Sequence, residues 1–519
     1  MKKVTRILAI LLVVAMLVCC LSACGKKGGK GGNSANDLLI SYWNSGLEME
    51  WLNKMIEAFE KEYPEYNVSV NATASSQAAA ASFGLEEVDT VDLYMVTKKY
   101  DTSEMVKLND LLNETAPGDT KPLIEKFNQK YLKDEIDREG NYYGLTYGGG
   151  ILSLVYNKQQ FADAGITELP LTTKQLTVVC DQLARKGYTP LAHYQGNGYW
   201  NFISELWFAQ ADGLDYYVDT FYGMVQEDGT VKPSLDVFTK KDGRYDTMKV
   251  YEQIITPNNI MPGSNTASHV EVQTMFLQGQ AAMMVNGSWL ANEMASTGSM
   301  ENFDIMRMPV ISTIVDRLDT VKGETDLRQL IMAIDKVTDG EAAEADYKQA
   351  DGTYKVGNKT VSAADWAIVD EARNALANNY AGEVMFIPSY SNCIDGAKKF
   401  IQFMLSDKGY KIYTETLHMA LPMDFSDGTA IDTTGWNTFE KSQFHLMYTA
   451  KSYVSEYVSS KHRIFTDGGA TAFHLSAAAY IPLFCANNPS DRKNADQIWE
   501  MMVKTAKDQF DHNWMANIA

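Results

Sequence analysis

Cysteine is scarce in this sequence, and the few cysteines are poorly placed for metal binding. Of the six, Cys19 and Cys20 lie in the first segment of the chain, and Cys180, Cys393 and Cys485 stand far apart. No CxxC pair and no cluster of cysteine with histidine occurs, although metal sites commonly use such spacings. The last three thiols permit at most one disulfide. We therefore expect no metal and no cofactor.

Sequence signatures of common enzymes are also missing. The chain contains no GxSxG, no HExxH and no phosphate-binding loop, and its seven histidines show no paired spacing. A glycoside hydrolase needs two carboxylates across a cleft, and the 66 acidic residues could supply them, but abundance alone is no evidence for such a pair. We expect no catalytic residue. A lipid-anchored glycan hydrolase is the less favoured alternative.

Basic residues are fewer than acidic residues. Against 66 Asp and Glu residues the chain has only 46 Lys and Arg, so its formal net charge is −20. An acidic protein of this kind repels nucleic acid and anionic lipid surfaces, and we expect no nucleic-acid partner. With 519 residues, the chain exceeds the roughly 250 to 300 residues at which single hydrophobic cores stop growing. It should therefore form more than one lobe.

Long apolar runs are absent after the N-terminus. The apolar segment at 7–18 is too short for a comfortable membrane span, and it follows the basic residues Lys2, Lys3 and Arg6. This order of a basic and then an apolar segment is typical of an export signal. We assign residues 1–23 to a signal peptide.

The signal ends in Leu21-Ser22-Ala23-Cys24, which resembles the lipobox of bacterial lipoproteins. In that motif the cysteine thiol is acylated and cleavage leaves the cysteine first, and two or more acyl chains hold a protein durably to a bilayer. A plain secretory signal with a chance cysteine is the alternative. After lipidated Cys24, the Gly- and Lys-rich residues up to 37 form a flexible tether. We expect an extracytoplasmic protein, attached to the cell membrane through the lipid anchor only.

The first folded segment, "LLISYWNSGLEMEWLNKMIEAFEKEYPEYNVSVNA", reads as strand, helix and strand. Trp51 and Met55 belong to a helical stripe, and Val68 and Val70 resume a period of two. Residues 91–96 read as the next buried strand. These elements predict a parallel sheet covered by helices in the N-terminal lobe.

A second lobe is predicted after three glycines at 148–150. Glycine adopts backbone angles that other residues avoid, so this place is either a bend between lobes or a tight turn within one. Apolar periodicity predicts helices at 172–186 and 199–208. The polar stretch 311–381 reads as an insertion or a loop-rich excursion, with a surface hairpin and a helix at 363–378.

The stretch "FLQGQAAMMVNGSW" joins an apolar run to a polar turn. Residues 281–285 are short and uncharged, which favours a strand buried on both faces of a parallel sheet. Asn286, Gly287 and Ser288 should then turn the chain, so that Trp289 stands beyond the carboxyl end of the strand. Ligands lie at that edge in open α/β sheets.

Four stretches together resemble the family 1 extracellular solute-binding proteins, the sugar-binding receptors of ABC importers. They are "YWN…FEKEYPEYNVSV", "YYGLTY…LVYNKQQFADAGI", "FLQGQAAMMVNGSW" followed by "FDIMRMPV", and "IPSYSNCIDGAKKFIQFMLSDKGYKIYTET". The resemblance implies an α/β fold of two lobes, each a sheet flanked by helices, with the ligand cleft at the hinge. It also implies ABC transporter permease subunits as partners, and we expect a monomer.

The same resemblance implies how the chain divides between the lobes. Residues 38–149 and about 382–425 would form the N-terminal lobe, and residues 150–381 and about 426–519 the C-terminal lobe.

A carbohydrate site needs aromatic side chains beside planar polar ones, because a sugar offers apolar C–H faces and a rim of hydroxyls. The family motif places an aromatic residue at Trp289 against the sugar; a core tryptophan is the alternative. Tyr199 and Trp200 cannot both be assumed to face a cleft, and Tyr147 either lines the cleft floor or packs between lobes. The candidate carbohydrate-binding residues are Trp43, Asn44, Glu48, Thr97, Tyr147, Tyr199, Trp200, Asn286 and Trp289.

Other solutes are alternatives on the same fold. Polyamine, peptide and ferric iron receptors share the two-lobed plan. A polyamine would require several carboxylates in the cleft, and iron would require tyrosine or histidine with a carboxylate. Aromatic residues with neighbouring amides favour a neutral sugar, above all an oligosaccharide. A surface glycan-capture protein without a transporter is a further alternative.

Overall fold

The protein is described from a computed structural model that covers most of the chain. It describes residues 35–44, 46–97, 102–137, 139–193, 198–224, 230, 232, 234–264, 266–378, 383–454 and 477–510. The predicted signal peptide, Cys24 and most of the tether lie outside the described residues.

The strands and helices alternate along the chain. The strands are β1 (Asp37–Trp43), β2 (Asn67–Thr73), β3 (Leu93–Val96), β4 (Leu145–Thr146), β5 (Ile151–Asn157), β6 (Leu191–Ala192), β7 (Met283–Gly287), β8 (Phe303–Met306), β9 (Tyr354–Val356), β10 (Lys359–Val361), β11 (Ala375–Asn378), β12 (Val384–Phe386) and β13 (Ser452–Val454).

The helices in the first half are α1 (Glu50–Glu62), α2 (Ser76–Ala79), α3 (Asn109–Asn113), α4 (Leu123–Lys126), α5 (Gln129–Glu135), α6 (Lys158–Asp163), α7 (Thr173–Arg185), α8 (Tyr199–Asp212), α9 (Leu235–Thr239) and α10 (Gly243–Ile254). Those in the second half are α11 (His269–Leu277), α12 (Leu290–Glu293), α13 (Glu324–Thr338), α14 (Ala363–Arg373), α15 (Ile394–Leu405), α16 (Asp407–Leu417), α17 (Thr438–Tyr448), α18 (Ala477–Phe484) and α19 (Ala495–Gln509). Single turns of 3₁₀ or π type lie at Thr102–Glu104, Tyr216–Tyr222, Ser312–Arg317, Glu344–Asp346 and Pro489–Asp491.

The first sheet has the strand order β2-β1-β3-β12-β4. Its opening is the predicted strand–helix–strand unit, with β1 parallel to β2 and β3. Trp51 and Met55 of α1 are buried, as their helical spacing predicts. However, β12 runs antiparallel to β3 and β4, so the prediction of a parallel sheet is wrong for this edge.

The second sheet has the order β13-β11-β5-β7-β6, with β8 paired to β5. The strand predicted at 281–285 begins at Met283 and includes Asn286 and Gly287. It is parallel to β6 but antiparallel to β5, so the parallel sheet predicted here is also wrong. Parallel neighbours in one sheet are joined by a long crossover that returns the chain to its starting edge. The chain instead enters β5 directly from β4 of the first sheet, so no such crossover sets its direction.

The chain passes between the two sheets more than once. Residues 147–150 lead from β4 in the first sheet to β5 in the second, and β11 in the second sheet is followed along the chain by β12 in the first. After α16, which packs on α1, the chain returns to the second sheet through α17 and β13. The exact limits of the two lobes stay a prediction.

The stretch 311–381 is more regular than its polar composition predicts. It contains α13, the predicted hairpin of β9 and β10, and α14. The helix predicted at 363–378 ends at Arg373, and Ala375–Asn378 instead form β11, which pairs with β5 and β13. This segment therefore supplies a strand to the second sheet, and the expectation of a loop-rich excursion is wrong.

Aromatic contacts join the helices that cover the first sheet. Phe59 of α1 meets Phe400 of α15 with ring centroids 5.2 Å apart, and Trp51 meets Tyr413 of α16 at 5.4 Å. Beside the second sheet, α8 is buried on most of its faces, so it is a core helix rather than a surface helix. None of the described helices is long and apolar enough to cross a membrane.

The three cysteines beyond the N-terminal segment are buried. Burial raises the pKa of the Cys180 thiol to about 12 and that of Cys393 to about 11, so neither is a ready thiolate. Within the described ranges, no group of three or more His, Cys, Asp or Glu residues is arranged to hold a metal ion.

A buried lysine connects distant parts of the chain around the first sheet. Lys126 Nζ lies 2.6 Å from Asp119 Oδ2 and 2.8 Å from Asp407 Oδ1, and it donates to the Leu405 carbonyl at 2.8 Å. Because the ammonium group is fully buried, these acceptors replace its hydration. The ion pairs hold α4 to the α15–α16 corner.

We expect Lys126→Ala to lower the free energy of unfolding by about 3 to 5 kcal/mol, because it leaves the buried Asp119 without its counter-charge. Lys54→Ala is the control. It breaks an exposed pair with Glu50 at 2.7 Å and should cost less than about 1 kcal/mol. Urea denaturation of both variants measures the difference, and equal losses would contradict a stabilising role for the buried network.

Candidate functional site

Trp289 lies directly beyond the carboxyl end of β7, as predicted, where α12 begins. Its indole ring lies against two glycines. A Cβ atom on Gly287 would stand 2.4 Å from ring atoms of Trp289, and one on Gly150 would stand 2.7 Å from Cε3. Real Cβ atoms do not approach so closely, so only glycine at both positions leaves room for the ring. The strand ends thereby fix the position of the indole.

Tyr199 contacts the edge of the indole that carries Nε1. The Trp289 Nε1 group donates to the Tyr199 hydroxyl at 3.2 Å, and the two ring centroids are 5.6 Å apart at 66°. Tyr199 is the first residue of α8, and its ring also meets His269 of α11 edge-on at 5.3 Å. Burial raises the pKa of Tyr199 and lowers that of His269, so both side chains are neutral near pH 7. Three separate elements thus build one aromatic group.

The loop that follows β1 reaches this aromatic group from the first sheet. A Cβ atom on Gly46 would lie 2.9 Å from Trp289 Cβ and 3.4 Å from Glu293 Cγ. Glu48, in the same loop, is exposed and has a positive φ of 57°. Tyr42 donates its hydroxyl to the Glu48 carbonyl at 3.0 Å, which helps to hold the loop in this conformation. The two sheets are therefore in contact at Trp289.

Glu293 is the carboxylate on the second-sheet side of this contact. It lies one helical turn after Trp289, and its backbone N–H donates to the Trp289 carbonyl at 3.0 Å. Gln273 Nε2 donates to Glu293 Oε2 at 2.9 Å. Burial raises the pKa of Glu293, and the nearby charge of Glu48 raises it further. The loop after β1 therefore carries one acidic residue, Glu48, toward the α12 helix that carries another, Glu293.

Tyr147 lies below this contact, where the chain passes between the sheets. It is fully buried, and its ring meets that of Tyr42 edge-on at 5.9 Å. Its backbone N–H donates to the Glu383 carbonyl at 3.3 Å. Burial raises the pKa of the Glu383 carboxyl to about 8. The Tyr147 hydroxyl and Glu383 Oε2 have no hydrogen-bond partner among the described residues.

The first-sheet candidates Trp43, Asn44 and Thr97 lie around their own sheet. Trp43 Nε1 donates to the Ala74 carbonyl at 3.2 Å, and its ring packs beside the small cluster that includes Val96. The Thr97 hydroxyl is hydrogen-bonded to that of Ser76. Asn44 Oδ1 is buried and has no hydrogen-bond partner among the described residues. These side chains stand beside the loop that carries Glu48.

Trp200 and Asn286 are not brought into the aromatic group. Trp200 is 3% exposed and meets Tyr251 of α10 edge-on at 5.3 Å, inside the second core. Asn286 lies in the middle of the sheet, fully buried, and its Oδ1 accepts from the Gly287 N–H at 2.7 Å. Of the two neighbouring aromatics at the start of α8, Tyr199 is the one that reaches Trp289.

Four residues of this region are not among the candidates predicted from the sequence: Glu293, Gln273, His269 and Glu383. The first lies four residues after Trp289, so helical spacing could have placed the two on one face. Glu383 is an isolated charge directly before an apolar strand, which is a weak signal of a buried carboxyl. Nothing in the local sequence marks Gln273 or His269.

Comparison with known proteins identifies the family. Residues 43–411, well over half of the chain, match the model of the bacterial extracellular solute-binding proteins. The chain belongs to this family. As a solute-binding protein, it is a member of a class of extracellular receptors rather than of enzymes.

Two curated relatives of this solute-binding protein are informative. An uncharacterised ABC transporter extracellular-binding protein of Pyrococcus horikoshii is 23% identical over 326 residues, which cover 59% of this chain and 69% of the relative. The arabinooligosaccharide-binding protein of Bacillus subtilis is 21% identical over 304 residues, with 56% of this chain and 63% of the relative covered. The chain therefore spans just under two thirds of the second relative's length.

Among solved structures, a chitin oligosaccharide binding protein resembles this solute-binding protein over nearly its whole length. The TM-score is 0.56 at 18% sequence identity, covering 92% of this chain and 99% of that one. At this level of identity the likeness shows the fold. The two sheets with their helices are the two lobes of the solute-binding fold, as predicted.

We expect Glu383→Gln to change how stability depends on pH. The pKa of Glu383 is raised from 4.5 to about 8, so its contribution to folding is fully present below pH 4.5 and is lost as pH rises to about 8. The wild type should lose about 1.4 kcal/mol per pH unit within this window through Glu383, whereas the amide cannot ionise. The pKa values of the facing Tyr42, Tyr147 and Tyr413 are raised above the window.

Urea denaturation between pH 5 and pH 8 tests this expectation. The variant should gain in stability over the wild type as pH rises, and Glu86→Gln, at an exposed position, should show no such trend. Parallel pH curves for wild type and Glu383→Gln would show that the carboxyl is not buried.

Proposed function

We propose that this protein is the substrate-binding lipoprotein of an ABC importer. It captures a carbohydrate, above all an oligosaccharide, between its two lobes and delivers it to a membrane permease. The observation that carries the proposal is the Trp289–Tyr199 pair, which is partly buried at the place where the loop of the first lobe meets the second lobe. A ligand that contacts both lobes binds the closed form more tightly than the open form and therefore stabilises closure.

The chemistry of this site suits a sugar. The indole of Trp289 offers an apolar plate for the C–H face of a ring, and the carboxylates of Glu48 and Glu293 accept hydrogen bonds from hydroxyls. Asn44 adds an amide whose oxygen has no hydrogen-bond partner in the described part of the chain. Trp43 and Thr97 would extend the site on the first lobe, and Tyr147 lies at its floor. The inner positions of Trp200 and Asn286 give those two residues supporting roles behind the site.

Closure would turn on the passages between the sheets. In this proposal the N-terminal lobe comprises residues 38–149 and about 382–425, and the C-terminal lobe comprises 150–381 and about 426–519. The segments at 147–150 and around 383 are then hinge segments, where small changes of backbone angle rotate one lobe against the other.

The relatives support a sugar without identifying one. One relative is named for arabinooligosaccharides and one solved structure for chitin oligosaccharides, and the first relative carries an ABC transporter in its name. Because these sugars differ, the proposal for this chain extends to the carbohydrate class only. An importer receptor must also stay near its permease, which is the role of the predicted lipid on Cys24.

We expect Trp289→Ala to weaken carbohydrate binding by about 1 to 3 kcal/mol, because the variant loses the apolar plate against the sugar. A thermal-shift screen of the wild type against mono- and oligosaccharides, polyamines and peptides identifies the ligand first, since a ligand that binds only the folded state raises the melting temperature. Calorimetry then compares the variant with Tyr448→Ala, which removes an aromatic ring that is 39% exposed elsewhere.

Trp289→Phe should fall between the wild type and the alanine variant, because a smaller plate is left in place. Unchanged affinity in Trp289→Ala would exclude this residue from the site. A thermal shift with polyamines or peptides alone would overturn the carbohydrate class.

We expect Cys24→Ser to release the protein from the membrane, because the serine hydroxyl cannot form the thioether that carries the lipid. In a bacterial host fed labelled palmitate, the wild type should be labelled and sediment with membranes, whereas the variant should be unlabelled. Cys20→Ser is the matched control, since that residue lies within the predicted signal and should not affect labelling. Label in both variants, or in none of the proteins, would contradict a lipid on Cys24.

A further inference from the structure

Two carboxylates from opposite lobes meet at the candidate site. Glu48 lies on the loop after β1, and Glu293 lies on α12, next to Gly46 of that same loop. A Cβ atom on Gly46, two residues before Glu48, would lie 3.4 Å from Glu293 Cγ, so the loop brings its own carboxylate toward that of Glu293. Burial raises the pKa of Glu293, and the charge of Glu48 acts in the same direction. Like charges brought together in a partly desolvated place destabilise the contact unless a positive charge lies nearby.

Unused hydrogen-bond acceptors surround this carboxylate pair. Gln273 is fully buried and gives its Nε2 group to Glu293, but its Oε1 has no hydrogen-bond partner among the described residues. Asn44 Oδ1, on the loop that leads to Gly46, is also buried without a partner there. A buried acceptor without a donor is unfavourable, so both oxygens would be stabilised by a donor beyond the described residues, which a ligand can supply. The site is therefore rich in acceptors and in negative charge.

The aromatic pair also favours a ligand that carries a positive charge. Glu293 follows Trp289 by one helical turn, so the carboxylate and the indole share one face of α12. The face of an aromatic ring attracts a cation, and the attraction is strongest for tryptophan. The indole N–H is already donated to Tyr199, so it does not serve the acceptors. A ligand that brings N–H donors and a positive charge would satisfy carboxylates, amide oxygens and ring together.

We propose that the solute is an amino sugar, or an oligosaccharide that contains one, whose protonated amino group lies between Glu48 and Glu293 beside Trp289. This inference rests on the proposed carbohydrate function and narrows its substrate class. A neutral sugar could also give hydroxyl donors to Gln273 and Asn44, but it would leave the two carboxylates facing each other without a counter-charge. The ammonium group supplies both the charge and the donors.

The test compares sugars that differ only in this charge. Calorimetry on the full-length protein measures binding of glucosamine, galactosamine and mannosamine, and of their short oligosaccharides, each beside its N-acetylated and its parent neutral form. We expect the amino form to bind at least about tenfold more tightly than its neutral partners, and the preference to shrink as salt is raised.

Two variants locate the charge recognition. Glu293→Gln keeps the size of the side chain and an acceptor for Gln273, and Glu48→Gln changes an exposed residue. Each variant should weaken binding of the amino form about tenfold more than binding of the neutral forms, which lose only a hydrogen-bond acceptor. Glu86→Gln, exposed and outside the site, is the control and should keep the preference. Thermal unfolding of each variant confirms that it is folded.

The outcomes separate this inference from the proposed function. Tight binding of amino sugars that depends on Glu48 and Glu293 supports both. Binding of neutral sugars with no preference for the amino form, or a preference unaffected by the two variants, overturns the inference and leaves the carbohydrate receptor in place. Binding of spermidine without any sugar, or no binding of any sugar in the series, overturns the inference and the carbohydrate class together.

Discussion

The contact between Trp289 and three glycines is the constraint on which the site depends. Gly150 and Gly287 lie under the indole at the ends of second-lobe strands, and Gly46 brings the first-lobe loop against the same residue. A side chain at any of these positions would occupy space that Trp289 fills. Gly150 also belongs to the passage that contains Tyr147. If this passage is a hinge, as the proposed function requires, a rotation there displaces the backbone on which the indole lies, and hinge position and site geometry are coupled.

Most of the fold could be predicted from periodicity, but strand direction and partners could not. The apolar stripes that predict α1, α7 and α8 depend only on which face of a helix meets the core, and they coincide with buried residues. Residues Ala375–Asn378 extend a helical pattern in sequence, yet they form a strand because β5 and β13 offer them hydrogen bonds. Such tertiary pairing overrides weak local preference. Antiparallel β5 and β12 follow from passages between lobes that no local pattern reveals.

The candidate site shows the same division between local and tertiary information. The end of β7 could be predicted from sequence, so Trp289 was found, and its neighbour Tyr199 followed from the start of a helix. The choice between Tyr199 and Trp200 could not be made, because α8 is apolar on most faces and either aromatic suits its core. Gln273 comes from another element, α11, and only folding brings it to Glu293 beside the indole.

Electrostatic repulsion between the lobes would favour the open form when no ligand is bound, an effect that apolar contacts alone do not produce. In the proposed function Glu48 belongs to one lobe and Glu293 to the other, so their repulsion would grow as the lobes approach and fall as they separate. Within the proposed function, an empty receptor is therefore biased toward the open form. A ligand shifts this equilibrium only by the difference between its affinities for the two forms. A cation between the carboxylates binds the closed form much more tightly than the open form, because it meets both charges only when the lobes are closed. Selection of the solute and closure around it would then be consequences of one electrostatic interaction.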